Sequence, residues 1–132
     1  FISVRDEDKA AMIPIAQSLL ELGFELVATD GSYKSLLSNG MDAEHVFKVK
    51  DQKRPHVVDL MEKDQIDFVL NTTSGVQSIK DSRSIRRTSL LRDIFYCTTL
   101  SAARAAVGSL RDLEENEITV CSLQRYHSGR FD

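Results

Sequence analysis

Ile66-Asp67-Phe68-Val69-Leu70-Asn71-Thr72-Thr73-Ser74-Gly75 changes chemical character halfway along. Ile66–Leu70 is apolar apart from Asp67, as a strand covered on both faces must be, and it is the best candidate for a central strand. The residues after it supply an amide, three hydroxyls and a glycine, the makings of a loop at the strand's carboxyl end.

The flanks of this stretch alternate strand and helix almost throughout. Phe1–Val4 reads as a first strand. A helix follows, with Met12, Ile15, Ala16, Leu19 and Leu20 on one face and Gly23 as its stop. Pro14 removes a helical hydrogen bond and crowds the preceding turn, which predicts a helix irregular before Pro14 or starting later. Phe24–Thr29 is the second strand, Asp30-Gly31-Ser32 a turn, and Tyr33–Leu37 a short helix closed by Asn39-Gly40. His45–Val49 reads as a third strand and Lys50–Arg54 as a basic loop. Pro55 suits the first turn of a helix running to about Lys63.

Beyond the Asn71–Gly75 loop a polar, basic stretch turns helical from about Ser84 to Leu91. Ile94–Cys97 is another strand. Leu100–Leu110 is a helix whose Ala102, Ala103, Ala105 and Ala106 allow close packing. Ile118–Leu123 reads as a last strand at an edge. The alternation implies an α/β fold: a mostly parallel sheet with helices on both faces. In such sheets ligands bind beyond the carboxyl ends of the strands.

A chain of 132 residues is expected to be one domain over residues 1–132, able to bury a core without disulfides. Its 42% hydrophobic and 28% charged residues are those of a globular protein, not a disordered segment. The net charge of −3 argues against a dedicated nucleic-acid binder. No apolar run reaches the roughly 18 residues of a membrane span, and no signal peptide is evident. Cys97 and Cys121 lack zinc-type spacing and lie in apolar stretches; both are expected to be buried free thiols, as suits a reducing, cytoplasmic compartment. The chain starts inside a strand without an initiator Met, so it reads as part of a longer protein.

Three strand-to-helix loops share a chemistry: Thr29-Asp30-Gly31-Ser32, Asn71–Gly75 and Thr98-Thr99. Hydroxyls, an amide and glycine-freed backbone N–H groups suit a phosphate, and helix N-termini favour an anion. The same residues are also ordinary helix caps, and the sequence leaves both readings open. Asn71-Thr72-Thr73 matches a glycosylation sequon, which a cytosolic chain does not use. Lys48, Lys50, Lys53 and Arg54 form one basic cluster and Arg83, Arg86 and Arg87 another, each a solvated face, a phosphate site or an interface. His45, His56 and His127 are scattered, Asp30 and Asp81 lack an identifiable partner carboxylate, and no nucleophile, metal or P-loop motif is present.

Several ordered segments carry a resemblance. Ser3-Val4-Arg5 before an acidic turn and Lys9, Gly23-Phe24-Glu25-Leu26 with Ala28-Thr29, Arg54-Pro55-His56, Asn71–Gly75, and Asp81-Ser82-Arg83 with Ile85-Arg86-Arg87 occur in order. Together they resemble the C-terminal allosteric domain of the carbamoyl-phosphate synthetase large subunit, in the methylglyoxal-synthase-like group. The resemblance runs from about Ile2 to His127. It implies a Rossmann-like three-layer sandwich with a mostly parallel five-stranded sheet and an extra edge strand.

It also implies a regulatory, non-catalytic domain of a cytoplasmic ligase that uses ATP, magnesium or manganese, and potassium. That ligase makes carbamoyl phosphate for pyrimidine and arginine synthesis, with other domains of the large subunit and a small glutaminase subunit as partners. The domain itself would hold no cofactor and no metal. Its implied effectors are UMP or IMP, held by Lys9, Thr29, Ser32, Lys48, Asn71, Thr72, Thr73 and Ser82. Thr98 matches a threonine that helps hold ornithine. Two departures stand out. Asp30 replaces the family's usual histidine, which puts a negative charge beside a phosphate, and Lys50–Lys53 is one residue longer than usual. A methylglyoxal-synthase-like phosphate lyase is the alternative activity, although that family's glycine-rich acidic segment is replaced here by Lys50–His56. A docking domain without a ligand is the third reading.

Overall fold

The computed structural model describes residues 1–51, 53–74, 79–80, 82–117 and 120–129. Five strands form the sheet: β1 (Ile2–Ser3), β2 (Val27–Thr29), β3 (Glu44–Val46), β4 (Phe68–Asn71) and β5 (Phe95–Cys97). Their order is β3-β2-β1-β4-β5 and every pairing is parallel. The stretch Ile66–Leu70 supplies β4, all four of whose residues are buried; it lies beside β1, the middle strand. The strands are shorter than the apolar runs predicted, because Phe24 and Val49 lie outside the ladder.

Alternation along the strands sorts the core into two layers. Ile2, Ala28, Phe68, Leu70 and Cys97 face α1 (Lys9–Glu21), α2 (Asp30–Ser38) and the long helix α5 (Leu100–Glu115). Phe1, Val46 and Val69 face α3 (Val57–Glu62) and α4 (Arg83–Leu91) through Val57, Met61 and Ile85. This is the three-layer sandwich the alternation predicts.

Local departures have local causes. Helix α1 runs through Pro14 from Lys9, so neither the expected irregularity before Pro14 nor a later start occurs. Pro14 is the sixth residue of α1, inside the helix, so it forgoes one backbone hydrogen bond there, a cost that the buried stripe Met12-Ile15-Ala16-Leu19 offsets. Asp30-Gly31-Ser32 is not a free turn but the first turn of α2. Pro55, joined to Arg54 by a cis bond, precedes α3, whose cap is His56. In that cap His56 Nδ1 accepts from the Asp59 N–H (3.4 Å) and Asp59 accepts from the His56 N–H (3.0 Å). In α5 Ala103 and Val107 are buried, whereas Ala102 and Ala105 are exposed.

The extra edge strand is not found among the described residues. Of Ile118–Leu123, Ile118 and Thr119 lie outside them, Val120–Ser122 are exposed and unpaired in any ladder, and Leu123 opens α6 (Leu123–His127). Cys121 is accordingly exposed, not buried, because the strand expected to bury it is not found among the described residues; Cys97 is buried as expected.

Candidate functional site

Parallel pairing lines up the residues at the carboxyl edge. Register places Ala28, Ile2, Leu70 and Cys97 in one row across the sheet, and Thr29, Ser3 and Asn71 in the next. One step along the strands therefore turns an apolar row into a polar one. Beyond it opens a pocket of about 180 Å³. Its polar wall includes Ser3, Thr29, Asn71, Thr72, Thr73 and Ser82; its cations are Arg5, Lys48 and Lys50. Phe47, Val49, Val57 and Ile85 form an apolar side. Among the described residues the wall carries no carboxylate.

Lys48 reaches the pocket on an excursion closed at its neck, where Phe47 donates its N–H to the Pro55 carbonyl (3.2 Å) and pairs with His56. Buried hydroxyls tie the strand ends together. Ser3 Oγ and Thr29 Oγ1 lie 2.8 Å apart. Val4 donates its N–H to Ser32 Oγ (3.0 Å) and Arg5 donates its N–H to Thr72 Oγ1 (3.1 Å). Asn71 Nδ2 donates to Ser82 Oγ (2.9 Å) and to the Tyr96 hydroxyl (3.0 Å).

The strand-end hydroxyls differ in what they cap. Thr99 is a cap, its hydroxyl accepting from the Ala102 N–H at the start of α5 (3.2 Å). Thr29 and Ser82 stand at the same position of α2 and α4 and make no side-chain cap bond. Neither helix start is closed by its own cap side chain, and helix starts of that kind can meet an anion.

The expected set separates in space. Thr29, Lys48, Asn71, Thr72, Thr73 and Ser82 line the pocket; Lys9 and Ser32 stand beside it. The Lys9 ammonium rests over Gly31 of α2, where a Cβ would come within 2.8 Å of Nζ. It pairs with Asp6 at 2.6 Å. Thr98 is exposed on the same edge and not part of the wall. Gly75 and Asp81 lie outside the described residues.

Asp30 does not point its charge at the pocket wall. It sits in the first turn of α2, where the helix dipole favours a carboxylate, and it pairs with His45. The His45 ring is itself set edge-on to Tyr33 and Phe47 (centroids 5.3 and 5.2 Å). Two acids flank the pocket cations. Asp6 is held below the usual carboxylate range by the Lys9 hydrogen bond, then by the charge of Lys9 and, less, of Lys48. Asp8 is lowered chiefly by its hydrogen bond from Arg5, with a further one from Thr72.

Sequence reasoning missed Arg5, Phe47, Tyr96 and the acidic turn Asp6–Asp8 as parts of this site. Ser3-Val4-Arg5 was visible as a segment, and Tyr96 was visible only as an aromatic in a strand.

Residues 11–98 match the family described as the MGS-like domain. The chain belongs to the MGS-like domain family. The domain is 43% identical over 129 residues to the carbamoyl phosphate synthase large chain of Acidobacterium capsulatum, covering 98% of this chain and 12% of that one. It is 46% identical over 126 residues to the large chain of Myxococcus xanthus, covering 96% and 12% respectively. The Halomonas eurihalina large chain is also 46% identical, over 129 residues, with coverage of 98% and 12%. The domain therefore spans about an eighth of the length of the curated relatives it matches. Among the described residues no helix is long and apolar enough to cross a membrane.

Proposed function

We propose that this chain is the effector-binding domain of a carbamoyl phosphate synthase large chain, and that its pocket takes a nucleoside monophosphate such as UMP or IMP. The single observation that carries the reading is the polar row Thr29–Ser3–Asn71 facing two helix starts without side-chain caps, with Lys48 beside it. Uncapped N–H groups and hydroxyls suit a phosphate, Lys48 and Lys9 its charge, and the Phe47-Val49-Val57-Ile85 side a flat apolar ring.

The likeness to large chains supports a parent ligase that makes carbamoyl phosphate with ATP, a divalent metal and potassium, and receives ammonia from a small glutaminase subunit. Pyrimidine and arginine synthesis are the routes such a product serves, and the cytoplasm is its compartment. Ornithine is assigned to the neighbouring edge at Thr98. Among the described residues the pocket wall itself holds no carboxylate, and the flanking acids Asp6 and Asp8 are engaged by Lys9 and Arg5. This supports binding without catalysis, since a phosphate lyase would need a base free to take a proton. An effector acts on the parent only through different affinity for two of its states, typically worth ~1–3 kcal/mol.

Calorimetric titration with UMP and IMP tests the reading. Saturable one-site heat with either is the expected result. Absence of binding by any nucleotide or by inorganic phosphate would remove it, and methylglyoxal formed from dihydroxyacetone phosphate would replace it with the lyase.

A further inference from the structure

Asn71 is 3% exposed, and its amide is held from two directions. Ser82, at the start of α4, lies 2.9 Å from Nδ2, and the Tyr96 hydroxyl on β5 lies 3.0 Å from the same atom. Tyr96 is held in turn by Arg86, one turn beyond Ser82 along α4. Arg86 Nε donates to the Tyr96 hydroxyl (3.3 Å), and its guanidinium carbon stands 6.0 Å from the ring centroid. The contacts close a ring: β4 to α4 through Asn71 and Ser82, α4 to β5 through Arg86 and Tyr96, and β5 back to β4 through the tyrosine hydroxyl.

A primary amide left to itself turns over readily and presents either oxygen or NH₂ to a ligand. Two fixed partners on one end of the Asn71 amide decide which end meets the pocket. Arginine is an obligate donor, so it also orients the phenol that does the fixing. Arg86 gains a purpose here that the basic cluster on α4 did not have in the sequence.

We propose that Tyr96 and Arg86 are positioning residues of this pocket: Arg86 sets the Tyr96 hydroxyl, and Tyr96 with Ser82 locks the Asn71 amide so that one fixed edge faces the ligand. Neither needs to touch the ligand. The inference rests on the reading of the pocket as a nucleotide site, and one of its readouts needs no ligand.

The test compares the wild-type chain with Tyr96→Phe, Arg86→Gln, Asn71→Ala and the double variant Asn71→Ala/Tyr96→Phe. Without ligand, the Asn71 side-chain NH₂ resonances should move toward those of a free amide in Tyr96→Phe, while thermal unfolding stays cooperative. With UMP, Tyr96→Phe should weaken binding about 2- to 12-fold, the size of one neutral hydrogen bond. Arg86→Gln should weaken it less. The double variant should bind no worse than Asn71→Ala alone, because the tyrosine acts only through the asparagine. Unchanged NH₂ resonances in Tyr96→Phe overturn the proposal whether or not a nucleotide binds. So does a Tyr96→Phe loss that adds in full to that of Asn71→Ala. Shifted resonances with no nucleotide binding to any form would instead keep the amide lock and remove the nucleotide site.

Discussion

The two ends of the sheet are built from the same strands and helices, yet only one is suited to an anion. At the carboxyl edge lies the pocket of about 180 Å³, with Arg5, Lys48 and Lys50 in its wall. At the amino edge lies a larger cavity of about 530 Å³, with Glu25, Glu44 and Asp67 in its wall and no lysine or arginine among the described residues there. Its remaining wall is largely apolar and includes Leu19, Leu22 and Gly23 at the end of α1. In a parallel sheet every crossover helix starts at the carboxyl edge and ends at the amino edge. Backbone N–H groups therefore gather at one end and carbonyls at the other. The charged side chains reinforce that polarity. Volume favours the amino edge; chemistry favours the carboxyl edge, and chemistry decides.

The largest expected effect comes from breaking the apolar row that both ends share. Leu70→Ala should cost ~2–5 kcal/mol in urea unfolding, since Leu70 is fully buried among α1, α2 and α5. Lys9→Ala separates the ends: UMP affinity should fall by ~1.5–3 kcal/mol in calorimetry, with the fold intact.

Acid comes next. Asp59 is held below the usual carboxylate range, first by the His56 backbone N–H and also by the charges of Arg54 and Lys63. A lowered folded value means that its stabilisation is complete above the ordinary carboxylate pKa of about 4. That stabilisation is lost as pH falls through the folded value. Melting temperatures recorded from pH 7 to pH 2.5 should drop below pH 4, and Asp59→Asn should start lower and drop less.

Asp6→Asn should tighten UMP binding about two- to five-fold, because the carboxylate that occupies Lys9 in the empty domain is gone and an exposed pair is cheap to exchange. Glu44→Gln, at the other end, should change UMP affinity by less than about 0.5 kcal/mol. An equal gain in both variants would mean that net charge, not the geometry of the carboxyl edge, sets affinity.

Much of this architecture is legible along the chain. Apolar periodicity marks Met12, Ile15, Ala16 and Leu19 as one helix face, and all four are buried in α1. The switch after Leu70 marks the strand end at which the pocket opens. Pro14 misled because burial of the stripe Met12-Ile15-Ala16-Leu19 holds α1 together through the one hydrogen bond that an interior proline removes. Cys121 misled because an apolar run is only an opportunity for burial; a neighbour must take it.

The site was legible as a set of residue types and illegible as a set of partners. Thr29 and Thr99 look alike in sequence, yet Thr99 caps its helix while Thr29 bonds to Ser3 across the sheet. Asp30 looks like an obstacle to a phosphate until His45, 15 residues away, takes its carboxylate as a hydrogen-bond partner.

Strand and helix positions, the parallel arrangement and the edge at which to look follow from the sequence itself, because periodicity, glycine stops and strand–helix alternation are local properties of the backbone. Tertiary structure alone decided which hydroxyls cap helices and which tie strands together. It alone joined Arg5 to Thr72 across 67 residues and Asn71 to Tyr96 across 25. Such bonds depend on strand order and register, and those are settled only when the two faces of the sheet find their helices.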